Sequence, residues 1–529
     1  PAPMLEKYAA KAASDLGLTF PQFQRLGRIR KDDPNEQFNM AVLAMENSNY
    51  VNGVSKLHAQ VSRGMFSDRW PEYPLEEVPI DSVTNGVHTM TWISPHMVSM
   101  LDRHFGSEWQ ADASSRDLWD SVAKIPDEEI WDLRENERGD FVRFCRKHLR
   151  ERMRRNNAGP IDFQSVNDIL DPRILTIGFA RRFATYKRAT LLFRDVERLK
   201  NIMFHPERPV QFVFAGKSHP RDDGGKTLIQ DIIRFIRDQG VRARMVFLED
   251  YDMHVARELV QGVDVWLNNP RRPMEASGTS GMKVVPNGGL NCSILDGWWA
   301  EGYERGVGWA IGDDTQQTDE GYQDWLDSRA LYQLIEKEIA PVFYHRTDNG
   351  IPTGWVEMMK RSMMELAPRF STLRMVREYT SRFYVPASQA YLRLSEGDLS
   401  RAKQALSWRD NVIKAWPAVK VLQVSDDLGT QGPIGKEFKI TARVNLGSLS
   451  PEDVSVQALM GQVTTNRELT DLDLAILTHV GQEGSDHVFE GMSTAVAPGH
   501  RGYIVRVVPK HDDIRVPTEV AIVAWEDHP

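Results

Sequence analysis

Apolar residues in this chain follow two rhythms. Through the middle they form short, almost unbroken runs: Ile174-Leu175-Thr176-Ile177-Gly178-Phe179-Ala180, Val210-Gln211-Phe212-Val213-Phe214-Ala215, Met245-Val246-Phe247-Leu248 and Val263-Asp264-Val265-Trp266-Leu267. Runs of this length next to turn residues read as strands buried on both faces. Stretches of helical period lie between them, such as the one from Thr227. Strands alternating with helices predict a doubly wound α/β domain. After about residue 418 the period shortens to two, with strands expected at 438–444, 454–459, 503–508 and 520–524 between Gly/Pro turns, which reads as an all-β sandwich. Residues 1–28 read as helical without a strong N-terminal cap, and residues 38–45 and 51–58 as two helices around a turn. Residues 325–395 are helical. Residues 115–160 are charged and helical with many i,i+4 pairs, end in Arg152, Arg154 and Arg155, and are most simply a solvated face. There is no internal repeat.

The 529 residues suggest two to four domains at roughly 150 residues each. A hydrophobic share of 41% and a charged share of 26% fit an ordinary globular chain, and a net charge of −9 gives no reason to expect nucleic acid as partner. Cys145 and Cys292 make no disulfide framework and no metal-ligand spacing, so no metal is expected and a reducing compartment is. No run of 18 apolar residues suggests a membrane span. Of the 14 tryptophans, Trp92, Trp266, Trp298, Trp299 and Trp309 sit among polar residues, as in sugar-handling clefts, although most tryptophans are core.

The candidate chemistry centres on Glu275-Ala276-Ser277-Gly278-Thr279-Ser280-Gly281-Met282-Lys283. Small residues and glycines let backbone N–H groups turn toward an anion. The lysine then enters the semi-apolar run Met282-Lys283-Val284-Val285-Pro286, and partial burial favours the neutral, nucleophilic amine that forms Schiff bases. Taken locally, the stretch is either such a lysine beside an anion-cradling turn or a plain Gly/Ser loop. A second candidate follows the first buried run. Arg181-Arg182-Phe183-Ala184-Thr185-Tyr186-Lys187-Arg188 is a basic turn at a strand's carboxyl end, where open α/β sheets bind ligands, or an exposed basic helix start. Gly216-Lys217 lacks the spacing of a P-loop.

Nearly every position of the segment from Glu275 to Lys283 matches, in order, the cofactor-lysine signature of the α-glucan phosphorylases (glycogen, starch and maltodextrin phosphorylases). Other segments resemble that family at compatible spacings over roughly residues 30–395, and most of all its bacterial and archaeal branch. Asn39-Met40-Ala41 and Val51-Asn52-Gly53-Val54 resemble the end of the family's N-terminal domain. Asn85-Gly86 and Trp92 resemble the start of its second domain. Arg181-Arg182 with Tyr186-Lys187-Arg188 resembles its phosphate-binding motif, and Asp296-Gly297-Trp298-Trp299 is family-like.

The resemblance implies a glycosyltransferase-B-like, Rossmann-like doubly wound domain at 83–395. The tail of an N-terminal domain that begins upstream would precede it at 1–82, and a linker at 396–418 and the β-sandwich at 419–529 would follow. It implies a hexosyltransferase with pyridoxal 5′-phosphate as cofactor, catalysing reversible phosphorolysis of α-1,4-glucan to α-glucose 1-phosphate. Lys283 would carry the cofactor as a Schiff base, with Thr279, Ser280, Arg181, Tyr251 and Trp92 around it. Arg182 and Lys187 would take the substrate phosphate. Asn85, Tyr186, Glu275, Ser277 and Gly278 would serve the sugar. His88 stands where the family has threonine and is expected to be structural. At Asp252 better-known members carry an arginine on the cofactor phosphate, so Arg271, Arg272 or Arg181 is expected to supply that charge. Glucan and phosphate are the implied partners, with neither nucleic acid nor membrane, in the cytoplasm; a homo-oligomer is compatible with this. The family's substrate-side histidine and phosphate-capping loop belong upstream, so this chain alone is expected to be a weak or inactive catalyst. The other readings are a phosphorylase of another glycoside, a nucleotide-sugar-dependent glucan synthase (which would not need the Lys283 motif), and an inactive glucan- or cofactor-binding fragment.

Overall fold

A computed structural model describes residues 2–155, 166–429, 432–465, 469–496 and 498–527. The chain divides into two compact units. One comprises residues 52–61 and 81–381, the other residues 1–51, 62–80 and 382–529.

The first unit is built on a six-stranded parallel sheet: β1 (Leu175–Arg182), β2 (Val210–Lys217), β3 (Met245–Leu248), β4 (Val265–Asn268), β5 (Leu290–Ile294) and β6 (Gly308–Ile311). Its order is β3-β2-β1-β4-β5-β6, and every adjacent pair is parallel. The strands are buried almost end to end, which is why they read as unbroken apolar runs without alternation. From β1 the chain builds outward to β3, then returns to the other side of β1 with β4. That reversal between β1 and β4 is the topological switch point of a doubly wound sheet, where a crevice opens at the carboxyl ends of the strands. Both candidate loops leave those ends.

The charged stretch corrects one expectation. Within it, Asp127–Arg155 is a 29-residue helix that buries Ile130, Trp131, Phe141, Val142 and Cys145, together with Arg134, Glu137 and Arg138. It is therefore not a solvated face; residues 156–160 lie outside the described residues. The buried charges are matched. Arg138 donates to Asp264 at 2.6 Å, Arg134 pairs with Glu137 at 2.6 Å and with Asp264 at 3.8 Å, and Ser94 donates to Glu137. Asp264 also accepts the Thr176 N–H at 2.9 Å, tying the helix to β1 and to the residue before β4. The helical stretch at 325–395 is seen as Glu320–Leu334, Thr353–Leu366 and Thr372–Tyr379, continuing into Val385–Ala415.

The second unit holds a seven-stranded antiparallel sheet: β7 (Lys420–Asp426), β8 (Glu437–Asn445), β9 (Val454–Val463), β10 (Leu469–Glu483), β11 (Asp486–Thr494), β12 (Arg501–Pro509) and β13 (Ala524–Trp525). The order is β13-β12-β9-β10-β11-β8-β7, and a bridge between Val421 and Glu526 joins the two outer strands. β8 shows the expected alternation, with Phe438, Ile440, Ala442 and Val444 buried. The strand expected at 520–524 shrinks to Ala524–Trp525, because Pro517–Glu519 is a tight turn and Ala521 is left-handed at φ 58°. Residues 62–80 pack within this unit: the Trp70 indole donates to the Thr518 carbonyl at 2.8 Å, and Arg506 pairs with Glu77 at 2.7 Å. Near the N-terminus, Thr19 and Gln22 form a capping box on Phe20–Arg25, a cap the sequence reading missed. The stretch 396–418 is mostly helical, belonging to Val385–Ala415, whose course breaks at residues 396–399.

Candidate active site

β1 ends in Arg181 and Arg182, and the alternation of the strand sends them to opposite fates. Arg181 is buried and donates to Glu275 at 2.7 Å; Arg182 is exposed and in no ion pair among the described residues. The short turn Thr185–Lys187 then brings the buried Lys187 amine to the same Glu275 carboxylate at 2.9 Å and over the Tyr186 ring at 5.0 Å. Burial pulls the Arg181 guanidinium down from its ordinary pKa, with Glu275 opposing. The loops after β1 and β4 are sewn together by the Arg271 N–H, which donates to the Tyr186 carbonyl at 2.7 Å. Arg188 completes the seam. It adopts the left-handed conformation (φ 48°) and reaches the Asn269 and Pro270 carbonyls at 2.9 and 2.8 Å, and Asp324 and Asp327 at 2.9 and 2.6 Å. Sequence reading had taken Arg188 only as one of a basic cluster.

The loop that follows β4 is held from several sides. Asp296 accepts from the N–H groups of Glu275 (2.9 Å) and Gly297 (2.8 Å). The Trp298 N–H donates to the Ser277 carbonyl at 2.8 Å, and Ser55 donates to the Ala276 carbonyl at 2.7 Å. Gly297, at φ 54°, is required: a Cβ would lie 2.4 Å from the Ser277 carbonyl oxygen. Ser55 was not singled out from the sequence, and it carries no local signal, since its bond spans 221 positions.

The loop ends in the turn Gly281–Lys283. The Lys283 amine lies 3.8 Å from the centroid of the buried Trp92 ring and is in no ion pair among the described residues. Its burial depresses the amine's pKa from the ordinary lysine value. Asn287, fully buried, fixes this pair. Its amide donates to the carbonyls of Trp92 and Lys283, each at 3.0 Å, and its oxygen accepts the Ser94 N–H at 2.7 Å. The Trp266 indole reaches the Ser280 hydroxyl at 3.3 Å. The geometry thus assembles a nucleophilic amine on an aromatic floor and, beside the same loop, two buried cations sharing one carboxylate.

Residues 6–337 match the sequence profile of the carbohydrate phosphorylases. The chain belongs to the carbohydrate phosphorylase family. Residues 416–527 match the glycogen phosphorylase C-terminal domain. Glycogen phosphorylase of Mycobacterium tuberculosis (strain ATCC 25618 / H37Rv) is 40% identical over 497 residues, which are 93% of this chain and 57% of that protein. Maltodextrin phosphorylase of Thermococcus litoralis is 38% identical over 527 residues, 99% of this chain and 60% of its own length. Glycogen phosphorylase of Aquifex aeolicus is 41% identical over 381 residues, 72% and 54%. The chain therefore spans less than two thirds of each of these relatives.

Against the phosphorylase signature, the described residues bring together Arg181, Tyr186, Lys187 and Glu275 in one group, and Trp92, Ser280 and Lys283 in another. Ser277 is buried, Gly278 is left-handed at φ 75°, and Thr279 is half-buried between the two groups along the loop. Tyr251, after β3, is half-buried; burial raises its pKa, with the Arg181 charge opposing. Asn85 is half-buried, and its backbone is fixed by Val54 (3.1 Å) and Arg374 (3.2 Å). Asp252, where an arginine was expected, caps the helix Met253–Gly262 by accepting the Val255 N–H at 2.9 Å, and that bond holds its carboxyl below the ordinary value. Of the arginines considered as its substitute, Arg271 is engaged by Asp324 at 3.0 Å and Arg181 by Glu275, while Arg272 is in no ion pair among the described residues and its buried Nε and Nη1 have no hydrogen-bond partner there. His88 is exposed and bonded to Thr91 at 2.8 Å. All five tryptophans that suggested a sugar cleft are buried; Trp92 meets Lys283 through its ring face and Trp266 meets Ser280 through its indole N–H. Among the described residues no three His, Cys, Asp or Glu side chains gather as a metal site.

Asp296 yields a pH prediction. Burial raises its pKa from 3.8 to about 6, so between those values the folded state holds a proton that the unfolded chain has released. Unfolding free energy therefore falls as pH rises through that window, by roughly 2–3 kcal/mol. Urea unfolding at pH 4 and pH 7 should show this loss in the wild type and not in Asp296→Asn. Equal slopes for both would remove the assignment.

Proposed function

We propose that this chain acts as an α-glucan phosphorylase: with pyridoxal 5′-phosphate bound, it catalyses reversible phosphorolysis of α-1,4-glucan to α-glucose 1-phosphate. The observation that carries the reading is Lys283, a half-buried amine of depressed pKa with no carboxylate partner among the described residues, set on Trp92 at the end of the phosphorylase signature. A carbonyl-bearing cofactor fits such an amine, because the neutral form is the one that reacts. Thr279, Ser280, Arg181, Tyr251 and Trp92 surround its place, and small residues with a left-handed Gly278 leave room for an anion beside them. When bound, the cofactor supplies its 5′-phosphate as a proton-transfer group next to the substrate phosphate.

The chain's own residues do the rest. Arg182 and Lys187 bind and orient the attacking phosphate at the switch point. Asn85, Tyr186, Glu275, Ser277 and Gly278 hold the terminal glucosyl unit. Glu275 also shares its charge with Arg181 and Lys187, fixing the spacing of these cations before phosphate arrives. In the reaction the bond from C1 to the glucan O4 breaks, a bond from C1 to a phosphate oxygen forms, and the phosphate proton ends on O4.

In this reading the doubly wound sheet is one half of a glycosyltransferase-B fold. A cytoplasmic location agrees with two buried, unpaired cysteines, whose thiol pKa values burial raises. The test is release of glucose 1-phosphate from glycogen and maltodextrin by the cofactor-loaded protein, with and without inorganic phosphate. Release that needs phosphate and an α-1,4-glucan is expected. Release from a different glycoside alone, or binding of glucan without turnover, would replace this reading by one of its rivals.

A further inference from the structure

Gly216 and Lys217 close β2 and have no part in the site described above. In the parallel ladder Arg181 pairs with Gly216 and Arg182 with Lys217. Gly216 has φ 154°, and a Cβ there would lie 2.1 Å from the Arg181 carbonyl oxygen and 2.5 Å from the Phe183 ring. Glycine is what allows the end of β2 to stay against the end of β1. The Phe183 N–H then donates to the Lys217 carbonyl at 2.9 Å, fixing the backbone on the far side of the lysine. The outcome is a pair of cations on neighbouring strands at the carboxyl edge of the sheet. Both side chains are exposed, and among the described residues neither is in an ion pair or a side-chain hydrogen bond. Like charges side by side on adjacent strands repel, and here they are held beside the switch point, where such sheets take ligands.

The strand on the other side of β2 adds a second observation. β3 leads to Asp252, whose carboxylate is spent on a helix cap. The Lys217 charge is the smallest of the contributions that lower the pKa of that carboxylate, after the backbone bonds from Val255 and His254 and the His254 charge. Lys217 thus ends the strand that lies between the one ending in Arg182 and the one leading to Asp252, and among the neighbouring cations Arg181 and Arg271 are already paired.

We propose that Lys217 is a phosphate-binding residue that works with Arg182, the two together holding the oxygens of a phosphate dianion. The inference rests on the phosphorylase reading, in which two phosphates come to this edge: the cofactor's monoester and inorganic phosphate. A lysine suits the role as a compact point charge beside the arginine fork.

The test compares the cofactor-loaded wild type with Lys217→Gln and Lys217→Arg. Lys226→Gln serves as a charge control, since Lys226, on the helix that follows β2, is already paired with Asp223 at 2.9 Å. One arm measures cofactor retained on dialysis against a carbonyl-trapping reagent; the other titrates inorganic phosphate by calorimetry. Lys217→Gln should weaken one arm by about tenfold, the cofactor arm if the monoester is the ligand and the phosphate arm if the substrate is. Lys217→Arg should recover most of the loss, and Lys226→Gln should lose nothing. Circular dichroism checks that the variants are folded, as expected for an exposed side chain. If the wild type binds both and Lys217→Gln equals it in both arms, Lys217 has no such role and the phosphorylase reading stands. If the wild type binds neither, both fall.

Discussion

On the phosphorylase reading, Lys283→Ala protein is expected to purify without the borohydride-reducible chromophore expected of the wild type and to lose at least ~10³-fold in phosphorolysis rate. No other described lysine combines its features. The Lys283 amine is half-buried, faces a ring at 3.8 Å instead of a carboxylate, and has its pKa lowered by burial alone. Cation–π attraction of about 0.5–2 kcal/mol favours the ammonium form, and desolvation opposes it, lowering the pKa and raising the share of free amine. Lys283→Arg separates charge from chemistry. It keeps a cation over Trp92 but offers no amine that condenses with a carbonyl group, so it too should be colourless. Both variants should unfold near the wild-type temperature, because the loop is held by Asp296, Asn287 and Ser55 and not by the lysine head. A reducible chromophore that survives in Lys283→Ala would place the cofactor on another residue and end this assignment.

Asp264→Ala should destabilise the α/β unit by about 3–5 kcal/mol, the cost of leaving buried charge without its partner. Asp264 is 2% exposed, and Arg134 and Arg138 are each 1% exposed. Its carboxylate takes Arg138 at 2.6 Å, stands 3.8 Å from Arg134, and accepts the Thr176 N–H at 2.9 Å. Arg134 keeps Glu137, but Arg138 keeps, for a carboxylate, an exposed-side contact with Glu135 at 3.8 Å, besides a backbone carbonyl and the Trp131 and Phe343 rings at 5.4 and 5.2 Å. The loss should appear as a lower urea midpoint at unchanged slope. A double replacement, Arg138→Met with Asp264→Leu, should cost less than the sum of the two single changes, since no charge is then stranded. A loss under about 1 kcal/mol for Asp264→Ala would mean that water reaches the network. Because Asp264 directly precedes β4, this cluster also sets where the strand delivers the Glu275–Lys283 loop.

Much of the α/β unit was legible. β1, β2, β3 and β4 fall on the runs read as buried strands, because a strand covered on both faces leaves an unbroken apolar signature. β8 was legible through alternation, and β9 and β12 as short apolar stretches between turns, while β10, with only Ala475 and Leu477 buried along 15 residues, gave too little of either. The helix Asp127–Arg155 was legible as a helix and misread as solvated. Its i,i+4 charges look like a wet surface until the partner of Arg138 is known, and that partner lies 126 positions away.

The sequence by itself determined the family, through the ordered match from Glu275 to Lys283, and the elements whose period is local. It also placed the basic turn at a strand end, since strand and turn are neighbours in the chain. Only the tertiary structure decided which charges meet. Glu275 binds Arg181 and Lys187 across 94 and 88 positions. Asn287 seats Lys283 on Trp92 across 195 positions, and Lys217 comes beside Arg182 through the register of two strands. The physical reason is range. Periodicity and capping act over one or two turns of chain, whereas satisfying a buried charge depends on which distant segment the topology lays against it.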